Sequence, residues 1–244
     1  MGFWPAGCFR GHNILITGGT SGIGAAIARA FLMEDTVVTV TGVSEAEADA
    51  ARKALPSVAA HVLDVRDGAA VTRLVSGFAR LDHVVNCAGI IRRGDELEPE
   101  VFAEVLDINL TGTMRVCAAA RPLLAKAQGT IVNTASMLSY FGGGLVPGYA
   151  ASKGGVAQLT KSLAIAYAPD GIRVNAIAPG WIETPLTSAL RADAERNAAI
   201  AARTALKRWG KPEEMAGGVL YLSSPIASYV TGTVLPIDGG YLAV

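Results

Sequence analysis

Short apolar runs alternate with longer Ala-rich stretches over most of the chain. The apolar runs, rich in β-branched residues, predict strands at 13–17, 36–41, 58–63, 83–86, 130–134, 173–178 and 234–236. The stretches between them predict helices that include 23–33, 45–55, 69–78, 111–127, 151–168 and 213–222. Strands that are apolar throughout and separated by helices are typical of parallel β-α-β units. The pattern therefore predicts a doubly wound α/β fold, with helices on both faces of a mostly parallel seven-stranded sheet.

The alternation runs on without a linker rich in Pro, Ser or charge, which predicts a single domain over residues 11–244. A short extension over residues 1–10 precedes it. The least regular stretch, residues 179–203, interrupts the alternation late in the chain. Long irregular segments in compact domains are often functional, so we expect residues 179–203 to form a lid over a substrate.

Composition excludes several classes of protein. The chain carries 21 basic and 21 acidic residues and no net charge, so it lacks the electrostatic footprint of a nucleic-acid or membrane-surface binder. No apolar stretch approaches the roughly 18 residues of a membrane span, and the N-terminus has no secretion signal. The cysteines, at positions 8, 87 and 117, are too widely spaced for a disulfide framework or a metal site. We expect a cytoplasmic protein that binds no metal, nucleic acid or membrane.

A glycine-rich turn joins the first predicted strand to the first predicted helix, with the sequence Thr17-Gly18-Gly19-Thr20-Ser21-Gly22-Ile23-Gly24. A diphosphate must come close to the backbone N–H groups at a helix N-terminus, and glycines lack the Cβ that would prevent this. Taken alone, the turn could be purely structural. Its place after the first strand of an alternating chain favours a dinucleotide site. It is not a P-loop, because no Lys-Ser or Lys-Thr pair follows the glycines.

Tyr149 and Lys153 are four residues apart where a long helical stretch opens, so their side chains share one face. A phenol is a poor acid or base at neutral pH, but a neighbouring ammonium lowers its pKa towards the working range. Such a pair is usually accidental when nothing accompanies it. Here a predicted strand ends just before Ser136, and the carboxyl ends of strands form the ligand crevice of such sheets. This context favours a catalytic pair.

In their order along the chain, these motifs resemble the short-chain dehydrogenase/reductase family from about Gly11 to the C-terminus. The matching residues are the turn at 17–24, Asp64-Val65, Asn86-Cys87-Ala88-Gly89, Asn109, Ser136, Tyr149 with Lys153, Pro179-Gly180-x-x-x-Thr184 and Asp238-Gly239-Gly240. The resemblance implies a Rossmann-type domain. It also implies an NAD(P)-dependent enzyme that interconverts a secondary alcohol and a ketone.

The resemblance further implies a role for each matched residue. Tyr149 would donate and accept the proton at the substrate oxygen, and Ser136 would orient that oxygen. Lys153 would lower the Tyr149 pKa and hold the nicotinamide ribose, while Asn109 would position a water that links Lys153 to solvent. The implied cofactor-binding residues are Thr17, Gly18, Thr20, Ser21, Gly22, Ile23, Gly24, Thr41, Asp64, Val65, Asn86, Ala88, Gly89, Tyr149, Lys153, Pro179, Gly180, Ile182 and Thr184.

Two positions depart from the family pattern. Cys87 stands where a second Asn is common. The second predicted strand ends in Val40-Thr41-Gly42-Val43-Ser44, with neither the acidic residue usual in NAD-preferring members nor the Arg usual in NADP-preferring ones. We expect NAD or NADP as cofactor and favour NAD, because no cation is present to pair with a 2′-phosphate.

The candidate substrate residues are Arg92, Arg93, Met137 and Trp181. Their surroundings, residues 89–93, 136–147 and 190–210, resemble bacterial sugar-acid dehydrogenases of the deoxygluconate and keto-deoxygluconate type. Arg92 or Arg93, just past a strand end, could form a bidentate pair with a substrate carboxylate. The alternative is that both arginines are solvated loop residues.

Two other functions stay open. β-Ketoacyl carrier-protein reductases and other small-ketone reductases resemble the chain nearly as closely, but the basic residues of 191–211 are interspersed with acidic ones, which favours a mixed solvated face over a carrier-protein surface. A nucleotide-sensing protein without catalysis would be expected to lack Tyr149 or Lys153. The predicted helices 111–127 and 151–168 match those that form subunit contacts in the family, so we expect a homotetramer or, failing that, a dimer.

Overall fold

The computed structural model describes Pro5 and residues 7–243. The strands are β1 Asn13–Thr17, β2 Val37–Gly42, β3 Ala59–Val62, β4 His83–Asn86, β5 Thr130–Thr134, β6 Arg173–Pro179 and β7 Val234–Ile237. They form one sheet in the order β3-β2-β1-β4-β5-β6-β7, and each neighbouring pair is parallel. The predicted seven-stranded, doubly wound sheet is therefore confirmed.

The helices are α1 Gly22–Leu32, α2 Glu45–Ala54, α3 Gly68–Ser76, α4 Pro99–Leu106, α5 Gly112–Ala127, α6 Pro147–Tyr167, α7 Ser188–Ala192, α8 Ala194–Arg203 and α9 Pro212–Ser223. The sequence analysis did not name α4, and it began α6 at residue 151. The fixed φ of Pro147 suits the first helical position, so α6 begins there and Tyr149 lies in its first turn.

The central strand β1 shows why the strands are apolar on both faces. Side chains alternate across a sheet, so Ile14 and Ile16 enter one core, under α1, α2 and α9, while Leu15 enters the other, under α3, α5 and α6. All three are fully buried. With both faces covered, ligands have access at the edge where the strands end, which is where the candidate site residues lie.

The packed body includes residues before the predicted domain start at residue 11. Phe9 is fully buried, and its ring packs edge to face against Phe31 with 5.5 Å between the ring centroids. The Phe9 and His83 rings also lie 5.5 Å apart. Residues 7–10 thus belong to the fold, whereas residues 1–4 and 6 of the predicted extension lie outside the described residues.

The segment predicted to be a lid is largely helical rather than irregular. After the end of β6 it holds a 3₁₀ turn, Pro185–Thr187, followed by α7 and α8, and neither helix has a buried residue. Within the described residues, none of the helices combines the length and apolarity of a bilayer span.

Candidate active site

A cavity of about 570 Å³ lies at the carboxyl ends of β1, β2, β4 and β5. It brings together many of the predicted residues: Gly18, Thr20, Ser21, Gly22, Ile23, Gly24, Thr41, Asp64, Val65, Ala88, Gly89, Arg92, Tyr149, Lys153 and Thr184. The other predicted residues are not on its lining: Thr17, Asn86, Arg93, Asn109, Ser136, Met137, Pro179, Gly180, Trp181 and Ile182. Two of these residues nevertheless contact the lining, because Ser136 hydrogen-bonds to Tyr149 and Asn109 accepts from the backbone N–H of Ile90.

The glycine turn meets the requirements of a diphosphate site. Gly18 has a φ of +65°, and an ideal Cβ there would lie 2.7 Å from the backbone N of Ala88, so only glycine fits between the two strand ends. Ser21 precedes α1 without a side-chain cap, which leaves the first N–H groups of the helix available at the cavity. This cradle fits a dinucleotide, with Gly18 and the start of α1 at its diphosphate.

Ser136, Tyr149 and Lys153 meet at one end of the cavity. The Ser136 hydroxyl hydrogen-bonds to the Tyr149 phenol and accepts from the backbone N–H of Leu138 at 3.2 Å. The Lys153 ammonium lies 5.5 Å from the centre of the Tyr149 ring and donates to the carbonyl oxygen of Thr134 at 2.6 Å. A buried strand end and the first turns of one helix therefore hold all three groups.

Asn109 lies behind this group, in a π-helical turn that joins α4 to α5. Its Oδ1 accepts from the backbone N–H of Ile90 at 2.8 Å, and its Nδ2 donates to the Ile90 carbonyl and the Ser152 hydroxyl at 3.0 and 3.1 Å. An ideal Cβ on Gly89 would lie 3.2 Å from Asn109 Oδ1 and 3.8 Å from Lys153 Nζ. The Asn109 side chain thus fastens the loop after β4 to α6, with both amide hydrogens in use.

Burial controls the pKa values of the Tyr149–Lys153 pair. It lowers the pKa of Lys153 to about 8. It raises the pKa of Tyr149, although the hydrogen bond from Ser136 opposes the rise, and the charge of Glu96 adds to it. The Lys153 ammonium donates to the Thr134 carbonyl, and the lowering of the Tyr149 pKa by Lys153 stays a prediction.

The candidate substrate residues separate into two groups. Arg92 lines the cavity with Tyr149, and Arg93 does not. Trp181 packs against Trp209 and Tyr241, with ring centroids 5.5 and 6.4 Å apart, and lines a second cavity of about 120 Å³. Met137 is buried. Of the four candidates, only Arg92 therefore lines the cavity that also includes Tyr149.

The sequence analysis missed a carboxylate at the end of β2. Glu47, in the first turn of α2, accepts the backbone N–H of Val43 through Oε2 at 2.9 Å. An ideal Cβ on Gly42 would lie 2.5 Å from the same oxygen, so Glu47 occupies the space of an absent residue-42 side chain. The Ser44-x-x-Glu47 pattern of a capping box is the signal that could have indicated it, because such a Glu reaches back over the helix start.

Asp64 lines the same cavity as Glu47 and is held by Arg66. Arg66 Nη2 and Nε contact Asp64 Oδ2 at 2.6 and 2.9 Å, and the hydrogen bond lowers the pKa of the Asp64 carboxyl. Asp64, one of the implied cofactor-binding residues, is therefore held in its ionised form by Arg66.

A wholly parallel sheet, together with a glycine cradle and a Tyr-Lys pair on one cavity and Ser136 beside the Tyr, defines a Rossmann-type, dinucleotide-dependent oxidoreductase. A family model described as enoyl-(acyl carrier protein) reductase matches residues 18–242. The chain is 40% identical over 249 residues to cis-4-hydroxycyclohexanecarboxylate dehydrogenase of Sinomonas cyclohexanicum, covering 97% of this chain and 98% of the relative. Two further relatives and one solved structure give the same classification.

Over 245 residues the chain is 36% identical to 2-dehydro-3-deoxy-D-gluconate 5-dehydrogenase of Bacillus subtilis, covering 96% of each. Over 242 residues it is 40% identical to 3-oxoacyl-(acyl-carrier-protein) reductase of Thermotoga maritima, covering 95% of this chain and 98% of the relative. A crystal structure of gluconate 5-dehydrogenase from Burkholderia cenocepacia, in complex with NADP and tartrate, matches with a TM-score of 0.91 and 31% identity over 98% of both chains. The chain belongs to the short-chain dehydrogenase/reductase family, and it is an NAD(P)-dependent oxidoreductase.

Proposed function

We propose that this enzyme interconverts a secondary alcohol and a ketone on a sugar acid of the deoxygluconate type, with Tyr149 as the acid and base. The observation that carries the proposal is the shared cavity, which holds the Gly18 cradle, the Tyr149 phenol and Arg92 together. The names of two relatives support an acidic substrate, because one denotes a hydroxycyclohexane carboxylate and the other a deoxygluconate.

In this proposal the dinucleotide supplies or accepts the hydride. Tyr149 gives its proton to the substrate oxygen during reduction and takes it back during oxidation. Ser136 holds that oxygen by a hydrogen bond, a role supported by its contact with the phenol. Lys153 carries a positive charge beside Tyr149 and favours the phenolate.

A substrate panel tests the reaction: sugar acids, acyl thioesters and simple ketones, each with NADH and with NADPH. Fastest turnover of an acyl thioester would instead favour the carrier-protein reductase alternative, which the relative from Thermotoga maritima keeps open.

Replacing Arg92 by Ala should raise the Michaelis constant for sugar acids by roughly tenfold, the cost of a charge-assisted hydrogen bond to a carboxylate. Arg92 faces the cavity, whereas Arg93 lies beside it in sequence and does not line it, so Arg93→Ala is the matched control. Steady-state kinetics with gluconate and with an uncharged ketone measure the effect. An equal Michaelis constant in wild type and Arg92→Ala would refute the carboxylate contact.

We also infer a preference for NAD, with Glu47 as its source. A carboxylate at the end of β2 accepts hydrogen bonds from ribose hydroxyls and repels a 2′-phosphate. Glu47 Oε2 lies there, and among the described residues it is within hydrogen-bond reach of Val43 and Thr20. The bound NADP of the Burkholderia cenocepacia structure makes the opposite preference the alternative.

In the Glu47→Gln variant, NADH should bind roughly tenfold more weakly and NADPH more tightly, because a charge-assisted hydrogen bond and a repulsion are both lost. Glu45→Gln removes the same charge from the same helix turn without touching the cavity, so it is the control. Fluorescence titration gives both dissociation constants. If the ratio of the two constants is the same in wild type and Glu47→Gln, Glu47 does not select the cofactor.

We further propose a homotetramer, or failing that a dimer, in the cytoplasm. Support comes from apolar side chains left exposed on the helices expected to form the contact, with Ile165 on α6 at 78% and Met114 on α5 at 37% exposure. Single exposed apolar side chains are common on monomers, so sedimentation has to test the assembly, and a 25.1 kDa species alone would refute it.

A further inference from the structure

Glu96 is a buried acid that neither the sequence analysis nor the proposed chemistry uses. It lies in the 3₁₀ turn Asp95–Leu97, between β4 and α4, and only 1% of its surface is exposed. Burying a carboxylate is costly unless its oxygens are hydrogen-bonded. The described residues include no Lys or Arg paired with Glu96, so its partners must be found among backbone groups.

Each carboxylate oxygen of Glu96 accepts one backbone N–H of the candidate site. Oε1 accepts from Arg92 at 2.7 Å, and Oε2 accepts from Tyr149 at 2.7 Å. Such short bonds to an ionised acceptor belong to the stronger hydrogen bonds in proteins. One side chain therefore joins the loop that carries the candidate substrate arginine to the helix turn that carries the candidate acid and base.

The start of α6 explains why an acceptor is required at Tyr149. The N–H of the third helical residue is usually satisfied by the side chain of the residue that caps the helix. That residue here is Val146, which has no side-chain oxygen and makes no cap hydrogen bond. Glu96 supplies the missing acceptor from another part of the chain, and its negative charge also suits the helix N-terminus.

We propose that Glu96 is a positioning residue that holds the Tyr149 phenol in register with the Arg92 loop through its two backbone hydrogen bonds. The inference rests on the proposed function, in which Tyr149 moves the proton and Arg92 binds the substrate carboxylate. Space for movement is small, since an ideal Cβ on Gly148 would lie 3.4 Å both from Glu96 Oε2 and from Phe102. A 1 Å misplacement of a catalytic group is enough to slow turnover substantially.

The same segments share a second link that does not depend on Glu96. The backbone N–H of Gly94 donates to the carbonyl oxygen of Leu145 at 2.8 Å. This bond should keep the loop and the start of α6 attached when the Glu96 side chain is changed. Variants at Glu96 are therefore expected to fold, but with Arg92 and Tyr149 held less firmly relative to each other.

A distinct electrostatic signature accompanies the positioning. The charge of Glu96 adds to the burial that raises the pKa of Tyr149, and Ser136 opposes it. The other titratable groups nearby are Lys153 on α6 and Cys87 after β4, where burial lowers the Lys153 pKa to about 8 and raises the Cys87 pKa. Neutralising Glu96 removes a contribution that raises the Tyr149 pKa, so the limb of the pH profile that reports this base should move to lower pH.

The test compares Glu96→Gln and Glu96→Asp with wild type. Gln has the same shape but places an NH₂ group against one of the two N–H donors and carries no charge. In oxidation of gluconate and of cis-4-hydroxycyclohexanecarboxylate, we expect Glu96→Gln to lower kcat roughly tenfold, the effect of one lost charge-assisted hydrogen bond. Its pH profile should move to lower pH. Asp keeps the charge on a shorter side chain, so Glu96→Asp should lower kcat without that displacement.

Hydrogen–deuterium exchange provides a readout that needs no substrate. Residues 90–94 and 147–151 should exchange faster in Glu96→Gln than in wild type, because the Arg92 and Tyr149 amides each lose part of their protection. Glu100→Gln, which removes an exposed charge from α4, is the matched control and should match wild type in kcat, pH profile and exchange.

Unchanged kcat, pH profile and exchange in Glu96→Gln would overturn the inference. If Glu96→Gln does not fold, wild-type kcat in Glu96→Asp would overturn it in the same way. Tyr149→Phe in the same assay distinguishes failure of the Glu96 proposal from failure of the proposed function. Full activity in Tyr149→Phe contradicts the proposed chemistry itself, whereas an inactive Tyr149→Phe beside a wild-type-like Glu96→Gln contradicts only the positioning.

Discussion

Tyr149→Phe should lower kcat by roughly 10²–10⁴-fold, the contribution of a well-placed general acid and base. The substitution removes only the phenolic oxygen, which hydrogen-bonds to Ser136, and keeps the ring, whose centre lies 5.5 Å from the Lys153 ammonium. The ring that forms part of the cavity wall remains, so affinity for NADH should stay within about twofold of wild type. Steady-state kinetics and fluorescence titration with NADH measure the two quantities separately.

Tyr229→Phe is the matched control for this variant. Tyr229 is fully exposed and is not on the cavity lining, so the same loss of an oxygen should leave kcat unchanged. A Tyr149→Phe variant that turns over as fast as Tyr229→Phe would contradict Tyr149 as the proton donor. Lost turnover together with lost NADH affinity would instead indicate a damaged cavity.

Gly18→Ala should weaken NADH binding by roughly 100-fold, equivalent to losing one or two charge-assisted hydrogen bonds to the diphosphate. The new Cβ would lie 2.7 Å from the backbone N of Ala88, and backbone atoms at that distance must separate. The turn would then move away from β4 and carry with it the N–H groups that face the cavity. Its φ of +65° adds backbone strain for any residue with a side chain.

Gly11→Ala separates the strain from the collision. Gly11 has a φ of +72°, but an ideal Cβ there meets no atom within 4 Å, and the residue lies outside the cavity. Gly11→Ala should therefore lose some stability and bind NADH as wild type does. Thermal unfolding and NADH titration on both variants measure the difference. Equal NADH affinity in the two variants would show that the close approach at Gly18 does not shape the cofactor site.

The sequence predicted the strands well because each signal was local. The bounds of β1, β4 and β5 agree with the prediction to the residue. The helices were harder at their N-termini. Pro99 and Pro147 begin α4 and α6, and proline interrupts an apolar pattern even where its fixed φ favours a helix start.

The candidate site residues likewise divide into those with a local sequence signal and those placed by distant contacts. Gly18, Tyr149 and Lys153 were identified from motifs that each span only a few residues, and the structure gathers them on one cavity. Trp181 was assigned to the substrate from its place in the chain, yet it packs into an aromatic cluster with Trp209 and Tyr241 beside a different cavity. The orientation of a loop side chain depends on contacts with segments distant in sequence, which no local pattern contains.

The sequence by itself determined the family, the cofactor class and the residue types of the chemistry, because spacing within one strand, turn or helix encodes them. Only the tertiary structure decided which carboxylates lie at the site. Glu47 reaches the end of β2 from the next helix, and Glu96 reaches Arg92 and Tyr149, which is 53 residues away along the chain. Only the tertiary structure also set the raised pKa of Tyr149, since burial depends on every segment packed around the phenol.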